Sequence, residues 1–511
     1  MDPDASAMLA HVVTLRGDIP RLLQHLPQAV FETFNRHPRM RASILPGSVP
    51  QKAMICSALT SVSDLASLLT IHDCTVDKEE HTEQENSKNH AVTFTLPQSK
   101  WMEFVRDECE KPLNREKCFP FYLVAHVDMS TNAFARLCLF SDHYMSDTTS
   151  GFIILRDILQ MITTSTKLPK ELPLRKSLYE KTHFVNAWMN VIHEAVSKYV
   201  IQPLMSFDTS AFAPLLALQT GSQLDFAGLP PSPPNPSFAL FARGSEANML
   251  SAVRRCKEHN VSLQGAIIAA TLMAFGLVKY NGKLGDCSKS LHLRMDVMND
   301  MRQQMTSDSV KPGLFDSISA QTTGEVPIGL YSTPAHLIFT SSEGIDVHGM
   351  SFWDVALKAD HEWECAVVGH ELKMQSIYVN EVLNAESRTT SELFVANCAL
   401  SDVTLEFLDC SDANSWPFND DKSLQVENMH VYSSRPSLSS TSNLSITALS
   451  HFNYALMFKL EPNVAHQLFK WIVWCTERIG QYREKDTLAQ SADWLASEVE
   501  LAILDDPSRL T

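Results

Sequence analysis

The sequence predicts an α/β protein built as two domains, and three observations carry that reading. At 511 residues the chain is too long for one ordinary hydrophobic core. Between Phe121 and Ile162 the apolar pattern switches from a period of two to a helical period, as two strands followed by a helix require. Between Gly221 and Ser237 five closely spaced prolines break every periodic pattern and mark an extended, semi-rigid connection. The expected organisation is an N-terminal domain over residues 1–220, a linker over 221–237 and a C-terminal domain over 238–511.

Each element follows from its own pattern. Leu22, Leu23, Leu26, Val30, Phe31 and Phe34 recur at helical spacing between Asp18 and Asn35, and Pro38 stops that helix. An extended stretch then runs to Ile44, and Thr75 to Asn89, dense in charge and without period, reads as an exposed loop. Phe121, Leu123, Ala125, Val127 and Met129 alternate as in a half-buried strand, Ser130-Thr131-Asn132 supplies a turn, and Ala133 to Ser141 forms the partner strand. After Asp147 the residues Phe152, Leu155, Ile158, Leu159 and Ile162 trace one helical face. Beyond the linker, Ala247 to Asn260 and Ser262 to Tyr280 read as consecutive helices, the second apolar on nearly every face and therefore buried. Val426–Tyr432, Leu444–Leu449 and Tyr454–Leu460 read as strands, and Asn463 to Gly480 as a further amphipathic helix.

Composition narrows the function. Hydrophobic residues make up 44% and charged residues 20%, the balance of a folded globular chain. With 59 acidic against 42 basic residues the net charge is −17, and no basic cluster offers a face for nucleic acid. No basic and apolar leader opens the sequence, and the most apolar run, Ala266 to Val278, is too short to span a bilayer. The 11 cysteines are scattered without a CxxC pair, which points to reduced thiols in a cytoplasmic protein and gives no metal spacing. No phosphate-binding loop, dinucleotide fingerprint or G-x-S-x-G elbow is present.

The constellation that carries chemistry is His143-x-x-x-Asp147, set between a predicted strand and a predicted helix. A hydroxyl or amine attacking a thioester must lose a proton, and an imidazole, with an unperturbed pKa of about 6.5, can accept it near neutrality. Asp147 has two readings at this point: it fixes the loop that presents the ring, or it caps the helix that follows. His37, beside a proline, reads as a structural partner, and His292 and His451 as core or edge histidines in strands. Met295, Met298, Met301 and Met305 form a stripe that reads as gap-filling core.

Over most of its length the chain resembles the superfamily of chloramphenicol acetyltransferase, peptide-synthetase condensation domains, alcohol acetyltransferases and BAHD acyltransferases. The landmarks occur in the family's order. Arg36-His37-Pro38-Arg39-Met40-Arg41 resembles RHPxLR, and Ser141 to Gly151 resembles the HHxxxDG region. Val261 to Gly276 resembles the buried helix of the second domain, Met298-Asn299-Asp300-Met301-Arg302 the N/D-x-R segment, and Ser351 to Ala356 the FWxxA stretch of alcohol acetyltransferase-like members. The resemblance implies two chloramphenicol-acetyltransferase-like domains, each a mixed sheet flanked by helices, with an active-site tunnel between them. It implies His143 as catalytic base, Asp147 as its structural companion paired with Arg302 or Arg41, and Asp142, Thr148 and Gly151 as tunnel-lining candidates.

Two positions depart from the pattern: Asp142 stands where the family has its first histidine, and Thr148 where it has glycine. The expected activity is transfer of an acyl group from a thioester to the hydroxyl or amine of a small molecule. Acyl-CoA is the expected co-substrate, with no bound cofactor and no metal. Two alternatives stand beside it: a free-standing condensation domain served by an acyl carrier protein, and a degenerate binding or scaffold member of the fold.

Overall fold

Period-two alternation puts successive side chains on opposite faces of a strand, and the first strand, β1 (Met8–Gly17), shows what this does. Met8, Ala10 and Val12 enter one hydrophobic cluster, while Val13 and Leu15 enter another on the opposite face. The computed structural model describes residues 8–46, 53–74, 93–94, 100–164 apart from 112 and 144, 171–174, 214–218, 238–302 apart from 289, 327–368 apart from 338, 339, 341 and 342, 401–411, 424–434 and 440–505. The proline-rich segment 221–237 and the expected loop at 75–89 lie outside them.

Helix α1 (Ile19–Arg36) starts where the Asp18 carboxylate accepts from the Arg21 amide at 3.1 Å, and it ends at His37, which is extended ahead of Pro38. A turn of 3₁₀ helix (Pro38–Arg41) leads into β2 (Ala42–Ile44), which pairs with β3 (Ala53–Ile55). Strand β4 (Leu69–Asp73), the two-residue β5 (Thr93–Phe94) and helix α2 (Lys100–Cys109) follow. The expected hairpin is present as β6 (Phe121–Val127) and β7 (Phe134–Asp142), with Asn132 left-handed at φ 52° in its turn. Helix α3 (Thr148–Thr164) comes next.

The second half contributes β8 (Phe238–Arg243), α4 (Glu246–His259), α5 (Leu263–Lys279), β9 (Met295–Asp300), β10 (Ser332–His336) and α6 (Phe352–Val368). It continues through β11 (Val403–Asp409), β12 (Leu424–Ser433), β13 (Ser442–Ala448), β14 (Phe452–Phe458), α7 (Pro462–Glu477) and α8 (Leu488–Asp505). Every residue of α5 from Gly265 to Val278 is buried, as its uniformly apolar sequence requires.

The strands form two main mixed sheets, β12-β1-β7-β6-β4 and β10-β9-β11-β13-β14-β8-β5. β4 runs parallel to β6 in the first, and β11 runs parallel to both β9 and β13 in the second. Helices α1 and α3 cover one face of the first sheet. Its other face meets α2 and, through Phe241, Ala455 and Met457, strands β8 and β14 of the second sheet. The sheets do not divide the chain as its proline-rich segment does. β12 comes from the second half yet pairs with β1, and β5 comes from the first half yet pairs with β8.

Two local expectations are corrected. His292 and His451 lie outside the strands, each shortly before one, because the β9 and β14 ladders begin at Met295 and Phe452. His451 is nonetheless buried, with Nε2 at 3.1 Å from Asn428 Oδ1. Among the described residues no single helix is long and apolar enough to cross a membrane.

Candidate active site

The β6–β7 hairpin delivers the motif. β7 ends at Asp142, a tight turn follows in which the Met145 amide donates to the Asp142 carbonyl at 2.9 Å, and α3 begins at Thr148. His143 is thus the first residue off the strand, and it is half-buried. Its Nδ1 lies 2.9 Å from the Ser146 carbonyl oxygen. A carbonyl only accepts, so Nδ1 carries the proton and Nε2 keeps its lone pair. Among the described residues Nε2 has no hydrogen-bond partner.

Both readings of Asp147 are realised at once. Its Oδ1 accepts from the Ser150 amide at 2.8 Å, three residues on, which is the geometry of a helix cap. The same oxygen accepts from Arg302 Nη2 at 2.7 Å, and Oδ2 accepts from the Tyr331 amide at 2.8 Å. Burial alone would raise this carboxyl. The Arg302 charge and the hydrogen bonds from Arg302, Tyr331 and Ser150 outweigh that and hold it below the usual aspartate range.

Arg302 is bound along its whole guanidinium. Nε donates to the Pro327 carbonyl at 2.8 Å, Nη1 to Asp300 at 2.9 Å, and Nη2 reaches Ser150 Oγ at 2.7 Å as well as Asp147. Its plane lies over the Tyr331 ring, 4.9 Å from the centroid. The segment 327–331 approaches closely enough for the Gly329 amide to donate to Ser150 Oγ at 2.9 Å, with Gly329 at φ +152°, where a side chain is rarely tolerated. Arg302 follows β9 and Tyr331 precedes β10, so this clasp ties the edge of the second sheet to the motif at the end of β7.

Arg41, the other predicted partner of Asp147, lies elsewhere. It donates to the carbonyls of Phe34 at 2.6 Å and Asn35 at 3.1 Å and pairs with Glu171 at 2.8 Å. The last carbonyls of α1 have no intrahelical donors, and the nearby guanidinium takes them. His37 is a structural partner: Nε2 sits 2.9 Å from Asp157, beside Arg36 at the same distance.

The remaining candidates sit around the motif. Asp142, buried, receives Arg115 through two bonds of 2.6 and 3.0 Å and lines a small cleft with Ser43, Ile44, Arg115, Pro120 and Met145. Gly151 is buried on the opposite side. A Cβ there would come within 2.2 Å of the His11 ring, whose Nε2 donates to the Thr148 carbonyl at 2.9 Å. Thr148, 5% exposed, lies beside the carboxyl of Glu406 from β11. Desolvation pushes the Glu406 carboxyl up, and the Asp147 charge adds to this. Arg115, Ser150 and Tyr331 hold the motif in place from positions outside the candidate site residues named from the sequence. Only Ser150, three residues after a potential cap, carried a local signal. Of the methionine stripe, Met295 and Met301 are buried at the two ends of β9, and Met305 lies outside the described residues. Among the described residues no cluster of His, Cys, Asp or Glu could hold a metal ion.

No protein-family model matches the sequence, and no curated protein matches it either. Solved structures do match the fold. Trichothecene 15-O-acetyltransferase from Fusarium sporotrichioides superposes with a TM-score of 0.59 at 10% identity, over 93% of this chain and 91% of that one. The condensation domain of the monacolin K polyketide synthase MokA gives 0.57 at 12% identity, over 94% and 93%. The first condensation domain of the CDA synthetase gives 0.58 at 11%, over 94% and 92%. The chain therefore has the two-lobed fold that these condensation domains and this acetyltransferase share.

Proposed function

We propose that the protein transfers an acyl group from a thioester to the hydroxyl or amine of a small molecule, with acyl-CoA as donor and His143 as general base. The observation that carries the reading is the state of His143: a ring fixed through Nδ1–H to Ser146, with Nε2 unpartnered among the described residues, on a loop clasped by Asp147 and Arg302. A fold shared with an enzyme named as an O-acetyltransferase supports it.

In this mechanism the acceptor's proton passes to Nε2 while its oxygen or nitrogen forms a bond to the thioester carbonyl carbon. The tetrahedral intermediate then collapses, the C–S bond breaks, and the departing thiolate takes the proton from Nε2. Asp147 stays outside the reacting atoms and holds the loop.

The direct test is a panel of acyl-CoAs against pooled alcohols and amines, read by release of free thiol. Release that depends on acceptor supports the reading. Two of the fold neighbours are condensation domains, so the same panel includes thioesters on a carrier protein's pantetheine arm. Turnover with the loaded carrier alone assigns the donor to a carrier protein. No release from either donor, and no binding of acyl-CoA, overturns catalysis and leaves a binding or scaffold role.

A further inference from the structure

We infer that Arg115 is a positioning residue for His143, holding through Asp142 the end of the motif loop that Arg302 does not reach. This role rests on the reading of His143 as base. Asp142 stands where the resemblance has a histidine, and that departure has a counterpart in the structure. Arg115 Nε donates to Asp142 Oδ2 at 2.6 Å and Nη2 to Oδ1 at 3.0 Å, a two-pronged bond that a carboxylate accepts and an imidazole does not. The pair is enclosed, with the Asp142 side chain 1% and the Arg115 side chain 9% exposed. Asp147 and Arg302 form a second buried pair at the far end, so the turn that carries His143 is tied at both ends by an aspartate and an arginine.

Arg115 is braced in its own right. It lies in a turn closed by Asn114, whose Oδ1 accepts from the Glu116 amide at 3.1 Å and the Lys117 amide at 3.2 Å. The Asn114 carbonyl accepts from the Cys118 amide at 2.8 Å, and the Arg115 carbonyl accepts from the Ile44 amide of β2 at 2.8 Å. From Asp142 the constraint passes along the main chain. The Asp142 amide donates to the Pro120 carbonyl at 2.8 Å, and the Asp142 carbonyl accepts from the Met145 amide at 2.9 Å, which closes the turn ahead of Ser146. The Ser146 carbonyl then holds His143 Nδ1–H at 2.9 Å. Arg115 touches no reacting atom in this role and takes no proton. It fixes where that carbonyl sits against the ring, and so which nitrogen is left to accept the proton.

The test uses the full chain. Arg115→Lys keeps the charge but gives up the planar fork, and Asp142→Asn keeps the shape but gives up the charged acceptor. Against the acyl-CoA panel, each lowers kcat by ~10-fold and leaves KM for acyl-CoA within ~2-fold. A second measurement needs no turnover: nitrogen–proton correlation spectra of the protein labelled with ¹⁵N-histidine, with His143 assigned by its absence from His143→Gln. The wild-type ring is in the Nδ1–H form, and both variants shift it toward a mixture of the two tautomers. A pair that only stabilises the fold would lower the melting temperature and leave tautomer and kcat unchanged, and that result overturns the inference. So does loss of turnover in variants whose His143 stays in the Nδ1–H form. If His143→Ala keeps full turnover, the base reading itself falls. If His143→Ala is inactive while both variants match wild type in kcat and tautomer, only this inference falls.

Discussion

Arg302 Nη2 and Asp147 Oδ1 sit 2.7 Å apart although 155 positions separate them in the chain, and both side chains are buried. Because the same carboxylate also caps α3, the bond joins helix start, motif loop and the second sheet at one point. Asp147→Ala therefore takes from a buried guanidinium its buried partner, leaving it Asp300 as carboxylate, and removes a cap, for a cost of about 2–5 kcal/mol. Asp147→Asn keeps the cap and costs less. Equilibrium urea unfolding of the two variants checks the order; equal and negligible losses would show that the clasp does not stabilise the fold.

The pair Asp142–Arg115 is coupled in the same way. Asp142→Leu alone takes two bonds from Arg115, which is only 9% exposed, and Arg115→Met alone takes the same two from Asp142. The double variant loses less than the two singles together, with a coupling of about 1–3 kcal/mol in a double-mutant cycle. Strict additivity would show that the two charges stabilise nothing jointly.

Gly151 is dictated by His11. An added Cβ at 2.2 Å from a buried ring forces either α3 or β1 to move, so Gly151→Ala destabilises by about 1–3 kcal/mol. Replacing His11 with alanine in that background relieves the clash and recovers part of the loss. A Gly151→Ala protein with an unchanged melting temperature contradicts this packing.

His11 also makes stability depend on pH, with a definite sign. Burial lowers its pKa from 6.5 to about 4, so between these values the unfolded chain binds a proton that the folded one refuses. Its contribution is fully present above pH 6.5 and is lost as pH falls toward 4, by about 1.4 kcal/mol per unit. His11→Asn should narrow the stability difference between pH 7.5 and pH 5 by about 2 kcal/mol, measured as urea unfolding at both values. An unaltered difference would mean that the ring protonates freely in the folded state.

Local pattern made the hairpin, α3 and α5 readable, because a period of two or 3.6 is written in consecutive residues. His143 and Asp147 were placed for the same reason, at the junction of two such patterns. Pairing between distant strands leaves no such mark. Val426–Tyr432 reads as a strand, but nothing in those residues says that β12 joins β1 rather than a neighbour from its own half of the chain. Tyr331 shares that obscurity: its amide meets the motif from beside a sheet edge that only the assembled fold brings near. The sequence leaves Arg302 and Arg41 level as partners for Asp147; the α1 carbonyls occupy Arg41, and Arg302 takes the pairing.

The functional claim rests finally on His143. Among the described residues its ring makes one hydrogen bond, to Ser146, and it is half-buried rather than enclosed in a core. Alanine there removes the proton acceptor and leaves the Asp147–Arg302 clasp and both sheets in place. His143→Ala should keep its melting temperature and its acyl-CoA affinity while losing about 10²–10⁴-fold in turnover, the usual worth of a positioned general base. His143→Gln, which restores a hydrogen-bonding side chain but no base, should be equally inactive. Turnover by thiol release, calorimetric melting and acyl-CoA titration on the same preparations separate the cases. Loss of fold together with activity would make the ring structural. Full activity in either variant would assign the proton transfer to another group.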